Sequence, residues 1–389
     1  MSGDVTTQRP APRLRRDPTT RPALRGWVLT GVAGLGFLLV AIVVAAYFGA
    51  AFGVQTALLA LAAAVVPLGI VIPTFLWLDR FESEPNRLLV GAFLWGALVA
   101  AAVAAVLNSS AIALIEAMST ADADAALTTT AVLVAPFVEE AAKGVFVLFV
   151  WWFLRNEFDG ITDGMVYAGI CAAGFAFTEN IQYLAVAWTD GGSELLTGTF
   201  IARCILSPFA HPMFTILTGI GIGVAATSRS WMPRVFAPVV GFLLAVLSHG
   251  LWNLAAVSGG QGMVVVYLFV QVPIFFAFLA FVGWARREEG RLIGQLLRPY
   301  ADVGWLSPAE VAMLSSMPQR REARAWARAN TGRDGLKAMR AFQDAASELA
   351  LLRRRMLHRA ADAHAIEQEH ELLLALRDRR AEFIGLHAA

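Results

Sequence analysis

Glu139, Glu140 and Lys143 stand inside an apolar run covering residues 129–154. A charged side chain at the centre of a membrane helix costs about 2.5–3.5 kcal/mol, so three in one run call for a purpose. Glu139 and Lys143 are four residues apart and Glu140 and Lys143 three apart. The lysine can therefore serve as a structural counter-ion to one carboxylate while the other, about 100° round the helix, stays available to react. Which glutamate is which depends on helix rotation, and the reading adopted is that Glu139 is the base. Other apolar runs carry Asp163, Glu179, His211 and His249. Phe175, Glu179 and Tyr183 share a helix face with Asn180 beside it, and His249 and Asn253 lie one turn apart. A carboxylate can take a proton from an attacking water, and a His and Asn pair can donate hydrogen bonds to a developing oxyanion. Two histidines and a carboxylate, here His211, His249 and Glu179, also make a zinc set that leaves a position open for water. A single histidine in an apolar helix is more often a hydrogen-bonded packing residue, so the weight of the reading rests on the set. Asp163, near the end of its run, caps a helix or faces water.

The elements that must position these groups follow from composition. With 57% hydrophobic and 16% charged residues among 389 and a mean hydropathy of +0.60, the chain is not a soluble globular domain. A hydrocarbon layer about 30 Å thick needs roughly 20 apolar residues per helical span. Eight runs meet or approach that length: 27–50, 54–78, 88–116, 129–154, 161–188, 200–227, 235–257 and 263–284. The expected fold is all-α, a polytopic membrane bundle of eight transmembrane helices with a small helical cytoplasmic tail.

Loop charge orients it. Arg9, Arg13, Arg15, Arg16, Arg21 and Arg25 precede the first run, Arg80 and Arg87 follow the second, Arg155 the fourth, and Arg229 and Arg234 the sixth. The loops between hold Asp122, Asp124, Asp190 and Glu194 instead. Basic loops stay inside, so both termini are expected in the cytoplasm of a multi-pass cell-membrane protein. At a rise of 1.5 Å per residue this places Glu139 about 15 Å, Glu179 about 14 Å, His211 about 16 Å and His249 about 12 Å below the outer surface. Four ionisable groups on four helices thus share one level in the outer half of the bilayer, where they can meet around a polar site.

Three regions are expected along the chain. Residues 1–26 form a basic cytoplasmic leader, disordered, whose arginines face lipid headgroups. Residues 27–285 form the bundle and residues 286–389 a helical cytoplasmic tail. In the tail, Ser307, Pro308 and Glu310 have the pattern of a capping box with proline at the first helical position. Ala341, Ala345, Leu349, Leu352 and Met356, then Ile366, Leu373, Leu376 and Ile384, recur at helical spacing and predict a helical hairpin suited to self-association or a partner. Gly219, Gly221 and Gly223 lie within a span and predict close helix packing. Cys171 and Cys204, both in spans, predict packing residues rather than a bridge. Nothing in the charge distribution calls for nucleic acid.

Together the motifs resemble the PrsW family of intramembrane proteases, itself similar to the CAAX-processing and bacteriocin-immunity protease superfamily. The matching residues are Glu139, Glu140 and Lys143 in the pattern EExxK, Phe175 and Glu179 in FxxxE with Asn180, His211 in AHPMFTILTG, and His249 with Asn253 in SHGLWN; DRFESEP at 79–85 matches a cytoplasmic loop. The resemblance implies a peptidase that hydrolyses membrane-anchored proteins, such as an anti-sigma factor. In it Glu139 or Glu140 activates water, Glu179 and His211 help hold that water or a metal, and His249 with Asn253 stabilises the oxyanion. It leaves open both Zn2+ chemistry and chemistry by glutamate and water alone. The residues by themselves also suit a proton-coupled transporter or channel, or a non-catalytic scaffold; the inverted repeats and broken helices usual in transporters are not evident.

Overall fold

The structure is a computed structural model that describes residues 24–81, 84–118, 122–155, 157–158, 160–358 and 363–385. The leader expected over 1–26 lies, up to residue 23, outside them. The described residues are helical throughout, and the helices divide into two units, Leu24–Ala285 and Arg286–Ala389.

In the first unit, α1 (Leu24–Phe52), α2 (Val54–Val65) and α3 (Leu68–Leu78) lead to α4 (Asn86–Leu94), which passes through a π-helical segment (Trp95–Ala100) into α5 (Ala101–Met118). Next, α6 (Ala123–Thr129) and a second π-helical segment (Thr130–Val134) precede α7 (Ala135–Phe153). The long α8 (Ile161–Phe200) breaks at Gly192, whose φ of 61° belongs to the left-handed region that favours glycine. A third π-helical segment (Ile201–Leu206) leads to α9 (Ala210–Thr227), followed by α10 (Trp231–Ser258), α11 (Gly260–Val266), a fourth π-helical segment (Tyr267–Gln271) and α12 (Val272–Asp302), whose residues from Arg286 on belong to the second unit.

Six stretches among the described residues are long and apolar enough to cross a membrane: Gly31–Phe52, Val54–Leu78, Asn86–Met118, Ile161–Thr227, Trp231–Ser258 and Gly262–Asp302. The count therefore differs from the eight runs read in the sequence. The runs at 161–188 and 200–227 fall within one 67-residue stretch, since α8, the π-helical segment and α9 follow one another with little polar sequence between. The run at 129–154 is divided between α6, a π-helical segment and α7, and its Glu139, Glu140 and Lys143 dilute its apolarity.

The centre of the unit is α8, with Met165, Val166, Tyr167, Ala168 and Cys171 almost wholly buried. Glycine lets other helices reach its backbone. A methyl group at Gly96 would lie 1.8 Å from the Cys171 carbonyl oxygen, and one at Gly174 would lie 2.1 Å from that of Phe93. Gly164 and Gly219 join α8 to α9 in the same reciprocal way. Helices packed this closely gain dispersion contacts, which replace the hydrophobic drive that lipid does not supply. Gly96→Ala is accordingly expected to cost about 1–3 kcal/mol by overpacking, read as a lower unfolding temperature in detergent. Gly34→Ala, with nothing within 4 Å of the added methyl, is the matched control and should be neutral.

The second unit contains α13 (Pro308–Leu314), α14 (Met317–His358) and α15 (Ala363–Ile384). The Ser307–Glu310 capping box is formed: the Glu310 N–H donates to Ser307 Oγ (3.1 Å) and the Ser307 N–H to Glu310 Oε2 (2.7 Å). α14 breaks at Gly332 (φ 69°) before pairing with α15. Ala345, Leu349, Leu352, Leu373 and Leu376 are buried as their spacing predicts. Ile366 and Ile384 are exposed, whereas Phe383 beside Ile384 is buried against Phe342 of α14. Arg320 is wholly buried, donating to the Leu314 carbonyl and Ser347 Oγ at 2.8 Å each; burial pushes its guanidinium down to about 10, still a cation at neutral pH.

Candidate active site

The start of α7 is built by a proline. In a π-helical turn a carbonyl accepts from the residue five positions on, as the Thr130 carbonyl does from the Ala135 N–H. The corresponding donor for Ala131 would be Pro136, which has no N–H. The Asn253 side-chain amide of α10 fills that vacancy, donating to the Ala131 carbonyl at 2.8 Å. Asn253, read in the sequence as an oxyanion donor beside His249, thus gives one amide N–H to bracing the turn from which Glu139 and Glu140 project.

Glu140 is saturated. Its Oε1 accepts from Lys143 Nζ at 2.6 Å and lies 3.0 Å from His249 Nδ1, while its Oε2 accepts from Thr215 Oγ at 2.7 Å. All three donors hold it as a buried carboxylate, and neither Glu140 nor Lys143 has any exposed surface. Lys143 Nζ also reaches His211 Nδ1 at 3.3 Å and lies 4.2 Å from the centre of the Phe175 ring. The counter-ion expected from spacing is therefore directed at Glu140.

Glu139 is the opposite case. Its Oε1 accepts a 3.3 Å bond from Asn108 Nδ2 of α5, but its buried Oε2 has no hydrogen-bond partner. A carboxylate can only accept, so His249 must carry its proton on Nδ1, toward Glu140. In the neutral ring its Nε2 then presents a lone pair 3.8 Å from Glu139 Oε2. Two acceptors face each other across a gap that suits a water, a proton or a cation. His211 stands beside them, its ring centre 5.0 Å from that of His249.

His211 connects this gap to a second ion pair. Its Nε2 lies 2.7 Å from Glu179 Oε2, and Glu179 also pairs with the Arg203 guanidinium. Arg203 comes from the π-helical segment before α9; its Nε donates to Asn180 Oδ1 at 2.9 Å and its guanidinium lies 3.9 Å from the Tyr183 ring centre. A small recess lined by Asn180, Arg203, Ser207, His211 and Trp252 opens here. Arg203 lies at the end of the apolar run 200–227, and its charge within that run is the signal by which it can be found. Asn108 and Thr215 carry no such signal, since neutral polar residues in spans are common.

The structure thus brings Glu139, Glu140, Lys143, Glu179, His211 and His249 into one connected network and leaves Asn253 at its edge. Atoms of Glu139, His211 and His249 that can ligate a metal all lie within 4.8 Å of one another. This triad contains Glu139 in place of Glu179, whose carboxylate is held by Arg203 and His211. The family described as "PrsW family intramembrane metalloprotease" matches residues 84–278, half of the chain, and the whole network lies inside that range. The chain belongs to the PrsW family. It is a multi-pass membrane protein and an intramembrane protease.

Among the PrsW relatives, the chain is 30% identical over 194 residues to "Protease PrsW" of Geobacillus kaustophilus (strain HTA426), covering 50% of this chain and 77% of that protein. It is 34% identical over 116 residues to "Protease PrsW" of Oceanobacillus iheyensis, covering 30% and 49%. "Protease PrsW" of Clostridioides difficile (strain 630) is 26% identical over 175 residues, covering 45% and 69%. No solved structure matches the chain.

Proposed function

We propose that hydrolysis takes place at the gap between Glu139 and His249. The observation that carries this reading is the unpartnered Glu139 Oε2 lying 3.8 Å from His249 Nε2. A water donating one O–H to each acceptor would have its remaining lone pair free to attack a peptide carbonyl. Glu139 then takes the proton of that water and returns it to the leaving amine. Glu140 keeps His249 in the required tautomer, as carboxylates behind a catalytic or ligating histidine do. Glu179 orients His211 from the other side.

A divalent cation, Zn2+ by donor chemistry, is compatible with the open lone pairs of Glu139 and His249; His211 would complete the set by exchanging one of its present hydrogen bonds. Such an ion, when bound, supplies Lewis-acid polarisation and a more acidic water. His249→Ala is expected to lower cleavage of a fluorogenic transmembrane peptide in liposomes by about 100-fold or more, and bound metal measured by mass spectrometry to fall with it if the ion is native. Full cleavage by this variant would move the chemistry elsewhere, and proton flux without cleavage would favour the transporter reading.

The topology that fits this chemistry has eight crossings. The 67 residues of Ile161–Thr227 would extend about 100 Å as one helix, some three times the hydrocarbon thickness, and the break at Gly192 lets them cross twice. α7 then crosses as well, since its ionisable groups all face partners within the bundle. With arginine-rich loops inside, both termini and the tail lie in the cytoplasm and the site in the outer half of the bilayer. The substrate class is a membrane-anchored protein, for which an anti-sigma factor is the candidate; the tail's helical hairpin is a surface for self-association or a partner.

A further inference from the structure

Stabilising the oxyanion requires a donor aimed at the reacting carbonyl, and Asn253, the residue whose position beside His249 suits that role, already gives one of its two amide N–H groups to the Ala131 carbonyl. The recess next to His211 offers another. Arg203 has no acceptor atoms, so the Asn180 side-chain atom 2.9 Å from its Nε must be the carbonyl oxygen. The Asn180 amide is thereby fixed one way round, with its NH2 group turned from Arg203. Asn180 is only 5% exposed and lines the recess, and no acceptor for its Nδ2 is found among the described residues. His211 belongs both to this recess and to the triad with Glu139 and His249. A carbonyl oxygen seated in the recess would therefore meet a free amide donor, with His211 the residue that the recess shares with the triad.

Arg203 is itself held on three sides. Its guanidinium pairs with Glu179, its Nε with Asn180, and its plane lies against Tyr183. A rigid fork bonded to both neighbours at once fixes their relative positions, which a lysine's single ammonium does not reproduce.

We propose that Asn180 is the oxyanion donor of this protease and that Arg203 is the residue positioning its amide. The inference rests on the proposed water site at Glu139. As the water oxygen bonds to the scissile carbon and Glu139 takes its proton, the carbonyl π pair moves onto oxygen, where the Asn180 N–H receives it. When the tetrahedral intermediate collapses, the C–N bond breaks, the proton passes from Glu139 to the amine, and the donor is released for the next carbonyl.

Asn180→Asp is the direct test, because it keeps the size and the Arg203 partner while removing the donor. Loss of one oxyanion donor predicts a fall in kcat of about 10²- to 10³-fold, with KM for the fluorogenic peptide nearly unchanged. Asn180→Ala should lose as much, and the detergent unfolding temperature confirms that each variant is folded. A peptidyl trifluoromethyl ketone, whose adduct resembles the tetrahedral intermediate, should lose affinity in Asn180→Asp in proportion to kcat/KM. Arg203→Lys should lower kcat about tenfold, with its inhibitor affinity falling in parallel, whereas a purely structural role would leave that ratio flat. Asn253→Ala should lower the unfolding temperature with less than a tenfold loss of kcat. The proposal is overturned if folded Asn180→Asp and Asn180→Ala keep kcat within threefold of wild type, or if Asn253→Ala shows the kcat loss and the fall in inhibitor affinity instead. Glu139→Gln run alongside separates the two ideas: an inactive Glu139→Gln with an active Asn180→Asp defeats the oxyanion assignment alone, while an active Glu139→Gln defeats the water site as well.

Discussion

Glu139→Gln is expected to stop proteolysis, with kcat falling by about 10³- to 10⁴-fold, at the upper end of what one general base contributes. The substitution is close to isosteric. Glutamine still offers an oxygen to Asn108, so the contact at Oε1 survives. What changes is the unpartnered Oε2, replaced either by an NH2 group that cannot accept a proton or by an amide oxygen far too weak a base. The fold should be unaffected or slightly stabilised, since a buried carboxylate with one open lone-pair site is costly and the neutral amide removes that cost. Cleavage of the fluorogenic peptide in liposomes, read beside the detergent unfolding temperature, gives both halves. Activity within tenfold of wild type would place the base elsewhere, with Glu179 the next carboxylate to replace.

The sequence disclosed this site through cost. Glu139, Glu140, Lys143, Glu179, His211 and His249 stand out because ionisable groups in apolar runs are expensive, and the depth count along 1.5 Å rises put four helices' worth of them at one level. Spacing also said that Lys143 could serve only one glutamate. It could not say which, because Glu139 and Glu140 differ by a rotation set by packing. That rotation is fixed by features far apart in the chain: Pro136 removes a donor, and Asn253, 117 positions later, replaces it. For the same reason the bond from the Asn253 amide to the Ala131 carbonyl was not legible, since a side-chain amide one turn from a histidine looks alike whether it braces a turn or takes part in chemistry. Arg203 went unread because it stands at the end of the apolar run 200–227, where a charge costs little. Its partner Glu179 lies 24 residues earlier on another helix segment, and only the fold joins them. The eight runs and the six stretches differ where α8, a π-helical segment and α9 follow one another directly, and where Glu139, Glu140 and Lys143 dilute the apolarity of α7.

Glu140→Ala should be the most destabilising single change at the site, and for a reason distinct from chemistry. Lys143 would remain fully buried with His211 Nδ1 and the Phe175 ring as its contacts, and His249 Nδ1 would lose its acceptor, while the Thr215 hydroxyl keeps the His211 carbonyl at 3.1 Å. Removing one partner of a buried ion pair costs about 3–5 kcal/mol, a large part of the total stability of a domain. Loss of the folded peak in detergent or a steep fall in unfolding temperature is the expected reading. The double variant Glu140→Ala with Lys143→Met should recover most of that loss, because it removes the stranded charge and fills its volume with an apolar chain. Activity should not return with it. His249 would then lack the acceptor that keeps its proton on Nδ1, and its Nε2 would no longer be held as a lone pair facing Glu139. Recovery of stability without recovery of cleavage would assign Glu140 two separable jobs, neutralising Lys143 and setting the tautomer of His249. A single variant as stable as wild type would mean that Lys143 is not held by Glu140, and the division of labour between the two adjacent glutamates would have to be reversed.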